Sequence, residues 1–127
     1  LMLAAEKSTS LKIVELLLDN GASLEARNKN GSTPLLHAAG FSSTQEIVSL
    51  LLGSGAVIEV RDKADWTPLM HAARYSKTPE IVMLLLEKGA DALAKSKEGK
   101  KAIDYAEEND KLKGTQAYWK LHDKSFE

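Results

Sequence analysis

Apolar side chains recur along this chain in a fixed rhythm: Ile13-Val14 with Leu16-Leu17-Leu18, Ile47-Val48 with Leu50-Leu51-Leu52, and Ile81-Val82 with Leu84-Leu85-Leu86, each set 34 residues after the last. The spacing within each set makes a broad apolar face on a helix. Ahead of the second and third sets lie shorter apolar stretches opened by Thr33-Pro34-Leu35 and Thr67-Pro68-Leu69. A threonine hydroxyl can accept from an orphan N–H of a first helical turn, and a proline next to it needs no partner, so a helix starts at each Thr-Pro. The pairs Ala38-Ala39 and Ala72-Ala73, matched by Ala4-Ala5, let a second helix approach closely. Turn chemistry at Ser42-Ser43-Thr44 and at Ser76-Lys77-Thr78-Pro79 ends the first helix after roughly nine residues. The second helix runs from near Gln45 or Pro79 until Gly21, Gly55 or Gly89 supplies a left-handed stop. Polar segments such as Asn28-Lys29-Asn30-Gly31 and Asp62-Lys63-Ala64-Asp65 then read as projecting loops.

Units of this size cannot bury their own apolar face and must lean on neighbours, which predicts a stacked solenoid. The units are 1–26, truncated, then 27–60, 61–94 and a C-terminal cap over 95–127, all in one domain. Leu1-Met2-Leu3-Ala4-Ala5 aligns with 35–39 and so begins inside a helix, the expectation for a piece of a longer chain that leaves Leu1 and Leu3 uncovered. The last unit lacks Thr-Pro and replaces the leucine run with Thr115-Gln116-Ala117-Tyr118-Trp119-Lys120-Leu121. A terminal unit covers a neighbour on one side only, so a more polar version is expected there.

The pattern Thr-Pro-Leu, Ala-Ala, Ile-Val, Leu-Leu-Leu and Gly-Ala resembles the ankyrin repeat over essentially the whole chain. The resemblance implies an all-α solenoid of about four stacked helix pairs with β-hairpin-like loops projecting from them. His37 and His71 fall one position after the histidine usual in the family, whose place Leu36 and Met70 take, so the family's loop-bracing histidine bond is not expected. Asp65 stands where Gly31 and Gly99 supply the loop glycine, a position aspartate can occupy at modest strain.

A formal charge of −1, 43% apolar and 28% charged residues describe an ordinary soluble chain, for which a monomer in the cytoplasm is expected. No apolar run approaches the roughly 20 residues of a membrane helix. Cysteine is absent, which removes thiol chemistry and cysteine-based zinc sites. His37 and His71 sit on helices about 8–10 Å apart, too far to share one metal at about 2 Å each, and are read as packing residues. No Gly-x-Ser-x-Gly, phosphate loop or His-Glu-x-x-His occurs, and Glu107-Glu108 reads as solvated helix surface, so neither enzyme nor cofactor is expected.

Positions that escape the repeat are free to serve binding. The resemblance places contacts on the concave side, at loop tips and the exposed ends of first helices: Arg27, Lys29, Asn30, Ser32, Phe41, Arg61, Lys63, Trp66, Arg74, Tyr75, Lys97, Lys100 and, in the last unit, Asn109. Phe41, Trp66 and Tyr75 come from neighbouring units and should lie close together; aromatics with arginine are the commonest interface hot spots. On this reading Trp66→Ala weakens binding by about 1–4 kcal/mol and barely alters stability. Segments 27–32, 61–66 and 95–101 hold eight basic against three acidic residues, whereas 11–25, 45–59 and 79–91 hold two against eight, a positive loop edge backed by a negative outer face. The expectation is a non-enzymatic protein-interaction module for a partner with an acidic surface. An inhibitor or immunity-type subunit, and a targeting domain of a longer enzyme, are the alternatives; nucleic acid is disfavoured by the low net charge.

Overall fold

The structure, a computed structural model, describes residues 1–2 and 11–126. Ala4-Ala5, Leu3 and the first turn of the opening unit lie outside the described residues. Among the described residues from 11 onward there are seven helices: α1 Leu11–Asp19, α2 Pro34–Phe41, α3 Gln45–Gly53, α4 Pro68–Tyr75, α5 Pro79–Glu87, α6 Ala102–Ala106 and α7 Gln116–Lys124. No strand occurs among the described residues. First helices α2, α4 and α6 stack in one layer and second helices α1, α3, α5 and α7 in another.

Sequence chemistry explains the boundaries. Thr33 and Thr67 accept through Oγ1 from Leu36 N and Met70 N at 3.4 and 3.3 Å, each followed by proline. Buried Ser42 and Ser76 then pin the turn: each hydroxyl donates to a carbonyl two residues on (Thr44 at 3.0 Å, Thr78 at 3.1 Å) and accepts that residue's N–H. Ala38, Ala39, Ala72 and Ala73 are fully buried, and side chains no larger than a methyl let the neighbouring helices come close at those positions. Ile47, Val48, Leu51, Ile81, Val82 and Leu85 are fully buried on the facing side. Among the described residues, Asp65 is the one non-glycine with positive φ, at 60° against 77° for both Gly31 and Gly99.

The loops project as hairpins closed by Asn28 N to Ser32 O (3.0 Å), Asp62 N to Trp66 O (3.2 Å) and Ser96 N to Lys100 O (2.9 Å). Neighbouring loops are tied by Lys63 N to Asn30 O and Lys97 N to Ala64 O, both 3.1 Å. Arg27 Nη1 donates to Gly31 O and across to Arg61 O, both 2.8 Å; Arg61 Nη1 repeats this with Asp65 O (3.1 Å) and Lys95 O (2.8 Å). Behind them, Glu25 accepts from Val57 N at 3.1 Å and Glu59 from Asp91 N at 2.8 Å. Burial pushes the Glu59 carboxyl above the ordinary glutamate range, against the lowering effect of that amide.

The Glu107-Glu108 pair keeps the solvated surface expected of it, with side chains 52% and 56% exposed, while Glu107 accepts the Tyr118 hydroxyl at 2.5 Å and Glu108 lies 3.4 Å from Arg74 Nε. The outer end is not uniformly polar, since Trp119 and Phe126 stand 55% and 69% exposed.

Candidate functional site

Loop tips and first helices enclose an open groove of about 610 Å³ between the second and third units. Asn30 and Lys63 line its loop edge, Phe41, Trp66 and Tyr75 its helix side, and His37 and His71 its floor. Phe41 ends α2 and Tyr75 ends α4 one repeat later, which stacks their rings 5.4 Å apart and 25° from parallel. Trp66, in the loop before α4, continues the stack at 5.9 Å from Tyr75 and closes against Tyr105 at 4.1 Å. Phe41 and Tyr75 remain 50% and 42% exposed, while Trp66 is half-buried.

The cations spread along this wall in three ways. Arg27 and Arg61 direct Nη1 into the loop ladder. Arg74 lies over the Tyr75 ring at 5.1 Å while facing Glu108, and Lys100 lies over Tyr105 at 5.7 Å. Lys63 lines the groove itself, and Lys29 and Lys97 are exposed on the flanking loops. Ser32 and Asn109, expected on the open surface, are buried. Asn109 occupies the register of Phe41 and Tyr75 but turns inward, donating to Ala73 O (2.9 Å) and Ser76 O (3.0 Å) and ending the aromatic column.

Beneath the groove, the displaced histidines brace their loops after all. Asn28 Oδ1 accepts from Asn30 N and Ser32 N, which leaves its amide to donate to His37 Nε2 at 3.2 Å. One repeat on, Asp62 Oδ1 accepts from Ala64 N and Trp66 N, and Oδ2 accepts from His71 Nε2 at 2.9 Å. In the last unit, Ser96 and the Tyr105 hydroxyl meet at 2.7 Å. Three pairs, each nine residues apart and repeating every 34, carry one architectural role with three chemistries. That register, 28, 62, 96 against 37, 71, 105, was the signal in the sequence for Asp62 and Tyr105, which reading by residue type passed over.

With Nε2 donating to Asp62, neutral His71 presents a bare lone pair at Nδ1, which is buried without a hydrogen-bond partner. Protonation would put an unsatisfied N–H there, and burial accordingly holds the ring below the ordinary histidine value of 6.5, although Asp62 acts in the opposite direction. A folded pKa below the unfolded one means that the unfolded chain binds more protons between the two values, so this contribution is present above about 6.5 and lost as pH falls through that window. Urea titrations at pH 7.5 and 5.5 should show the native chain losing more stability than His71→Gln; an equal loss would remove the histidine from the acid response.

No group of three or more histidine and acidic side chains able to hold a metal occurs among the described residues, and none of the helices found there is long and apolar enough to cross a membrane. None of the curated proteins matches this chain. A family model described as ankyrin repeats, in 3 copies, matches residues 1–96 and, in an overlapping placement, 44–116. Stacked helix pairs, Thr-Pro caps, hairpin loops and that match agree, and the chain belongs to the ankyrin-repeat family.

Proposed function

We propose that this domain binds a partner protein along its concave side, with Phe41, Tyr75 and the open edge of Trp66 as anchors and Lys29, Lys63, Lys97 and Lys100 drawing an acidic surface toward them. Ankyrin repeats are generally protein–protein interaction modules and typically non-enzymatic. The observation that carries the finer reading is the pair of stacked rings left 50% and 42% exposed over an open groove. Exposed aromatics cost solvation in the free protein, and their burial at the centre of an interface supplies a large share of binding energy. Exposed lysines add steering and specificity more than affinity.

The test compares the native chain, Phe41→Ser/Tyr75→Ser and the outer-face control Val57→Ser in a quantitative pull-down from lysate of the source organism, with each fold verified by circular dichroism. Partners should be held by native and control alike and lose at least tenfold in recovery with the double variant, about 1.4 kcal/mol or more. Equal recovery by all three would remove the groove as the binding surface.

A further inference from the structure

The three loop braces share one register and differ in where their protons sit. In the second unit the Asn28 amide donates to His37 Nε2, so the neutral imidazole carries its proton on Nδ1. In the third, the Asp62 carboxylate has no proton to give; His71 donates through Nε2, and Nδ1 is left bare in a place closed to solvent. In the last, Ser96 meets the Tyr105 hydroxyl, which burial pushes above its ordinary value of 10.0, far from neutrality. The third brace also holds part of the aromatic wall. Asp62 Oδ1 accepts from Trp66 N at 3.0 Å, and the indole then lies 5.1 Å from the His71 ring, whereas Ser32 and Lys100 stand at that position in the flanking units. A proton reaching His71 has to enter at Nδ1, where the new N–H would find no acceptor. Turning the ring toward water relieves this, and its open side is the groove, since α2 passes so close at Gly40 that a Cβ there would lie 3.6 Å from His71 Cβ. Such a turn breaks the bond to Asp62 and pushes on the indole.

We propose that Asp62 and His71 form a latch on the groove wall that a proton at Nδ1 opens, so that the domain holds its partner at neutral pH and releases it in acid. The release rests on the binding surface proposed above; the latch does not. The surroundings of the ring set the sign. Burial acts most strongly against a charged ring, Asp62 from the loop favours it, and His37 from α2 opposes it. On α4 itself Tyr75 lies 6.2 Å away and Arg74 is directed to Glu108. α6 meets the ring across the indole, backed by Tyr105, to which Glu98 donates no proton but accepts at 3.5 Å and over which Lys100 lies. α5 packs against α4 with apolar Ile81, Val82 and Leu85, and Lys63 stands at the loop edge of the groove. The closed wall therefore binds this proton more weakly than the open one. Closure is present above the ordinary histidine value of 6.5 and is lost as pH falls below it. A partner seated in the groove covers the exit of the ring, so partner and proton weaken each other's binding equally.

The chain without any partner tests the latch. It holds two tryptophans, so Trp119→Phe leaves Trp66 as the sole indole. As pH is lowered from 7.5 to 5.0, acrylamide quenching of Trp66 should rise about twofold or more, with its midpoint below 6.5 and the far-UV circular dichroism unchanged. The rise should persist in His37→Gln and vanish in His71→Gln. Should His71→Gln misfold, NMR of the native chain replaces it, the His71 ring and the Trp66 indole N–H shifting with one midpoint. Flat quenching, a rise that tracks loss of helicity, a rise abolished by His37→Gln, or a His71 ring that titrates without the indole would each overturn the latch. Partners captured at pH 7.5 in the pull-down above should wash off the native chain at pH 5.5 about fivefold more than off His71→Gln. Equal retention by the two would overturn the release and leave the latch standing. A pull-down with no groove-dependent partner would remove the binding surface, and the release with it, but not the latch.

Discussion

Asn109→Leu is expected to lower the free energy of unfolding by about 2–4 kcal/mol, although it replaces one buried side chain by another of similar size. The Asn109 amide is the partner of two carbonyls at the end of α4, Ala73 O and Ser76 O, and its Oδ1 accepts from Lys111 N at 3.1 Å. Leucine fills the volume and leaves both carbonyls in a dry site without a donor. A buried acceptor stripped of its partner costs about 1–3 kcal/mol, and two sit side by side here. Asn109 belongs to the last unit and the carbonyls to the unit before it, so the substitution should also loosen the final helix pair ahead of the rest. Urea denaturation gives the total, and amide exchange in α6 and α7 locates the loss; a change below about 0.5 kcal/mol would show that water or local movement satisfies the carbonyls.

Trp66→Ala should act on the fold as well as on binding. The sequence alone suggested a wall residue removable at almost no cost in stability. In the structure the indole fills the space between Tyr105 at 4.1 Å, His71 at 5.1 Å and Tyr75 at 5.9 Å, and so joins the third unit to the last. Truncating a half-buried tryptophan with three ring neighbours costs about 2–4 kcal/mol. It would also open the Asp62–His71 pair to water. Phe41→Ala and Tyr75→Ala, at rings about half exposed, should cost less than about 1.5 kcal/mol each. If Trp66→Ala unfolds at the native urea midpoint, the indole is a surface plate, and its whole contribution belongs to partner contact.

These two residues mark where reading the sequence stops. Helix starts at Thr33-Pro34 and Thr67-Pro68, the leucine-rich second helices, the left-handed Asp65 and the meeting of Phe41, Tyr75 and Trp66 all follow from local chemistry and the period of the chain. Residue type misled where one repeat register is filled by a different kind of side chain. Asn109 holds the place of Phe41 and Tyr75 yet points inward, because its amide is the donor for two buried carbonyls of the preceding unit, Ala73 O and Ser76 O. Histidine one position late still reaches its loop, because the brace needs a nine-residue offset within the unit and not a particular motif. The groove's electrostatics were legible only in outline: counting charges finds a positive loop edge but not that Arg27 and Arg61 turn inward to carbonyls.

The division of labour among the hydrogen bonds bears on how such an array can be rearranged. Each loop brace, Asn28 with His37, Asp62 with His71 and Ser96 with Tyr105, joins two side chains inside one unit. The bonds that cross from unit to unit, from Arg27, Arg61, Lys63, Glu25 and Glu59, each end on a backbone atom, which every residue type supplies. A unit cut out or copied whole therefore carries its matched pair with it, and its loop hydrogen bonds meet main-chain groups that any neighbour offers, which leaves side-chain contacts such as Arg74–Glu108 and Trp66–Tyr105 as the ones that depend on the neighbour. Recombination that breaks between a loop and its own first helix separates the pair. The natural cassette boundary in this protein thus falls just before the loop arginine, and exchanges made there can lengthen, shorten or reorder the concave wall without redesigning the hydrogen bonds between its loops.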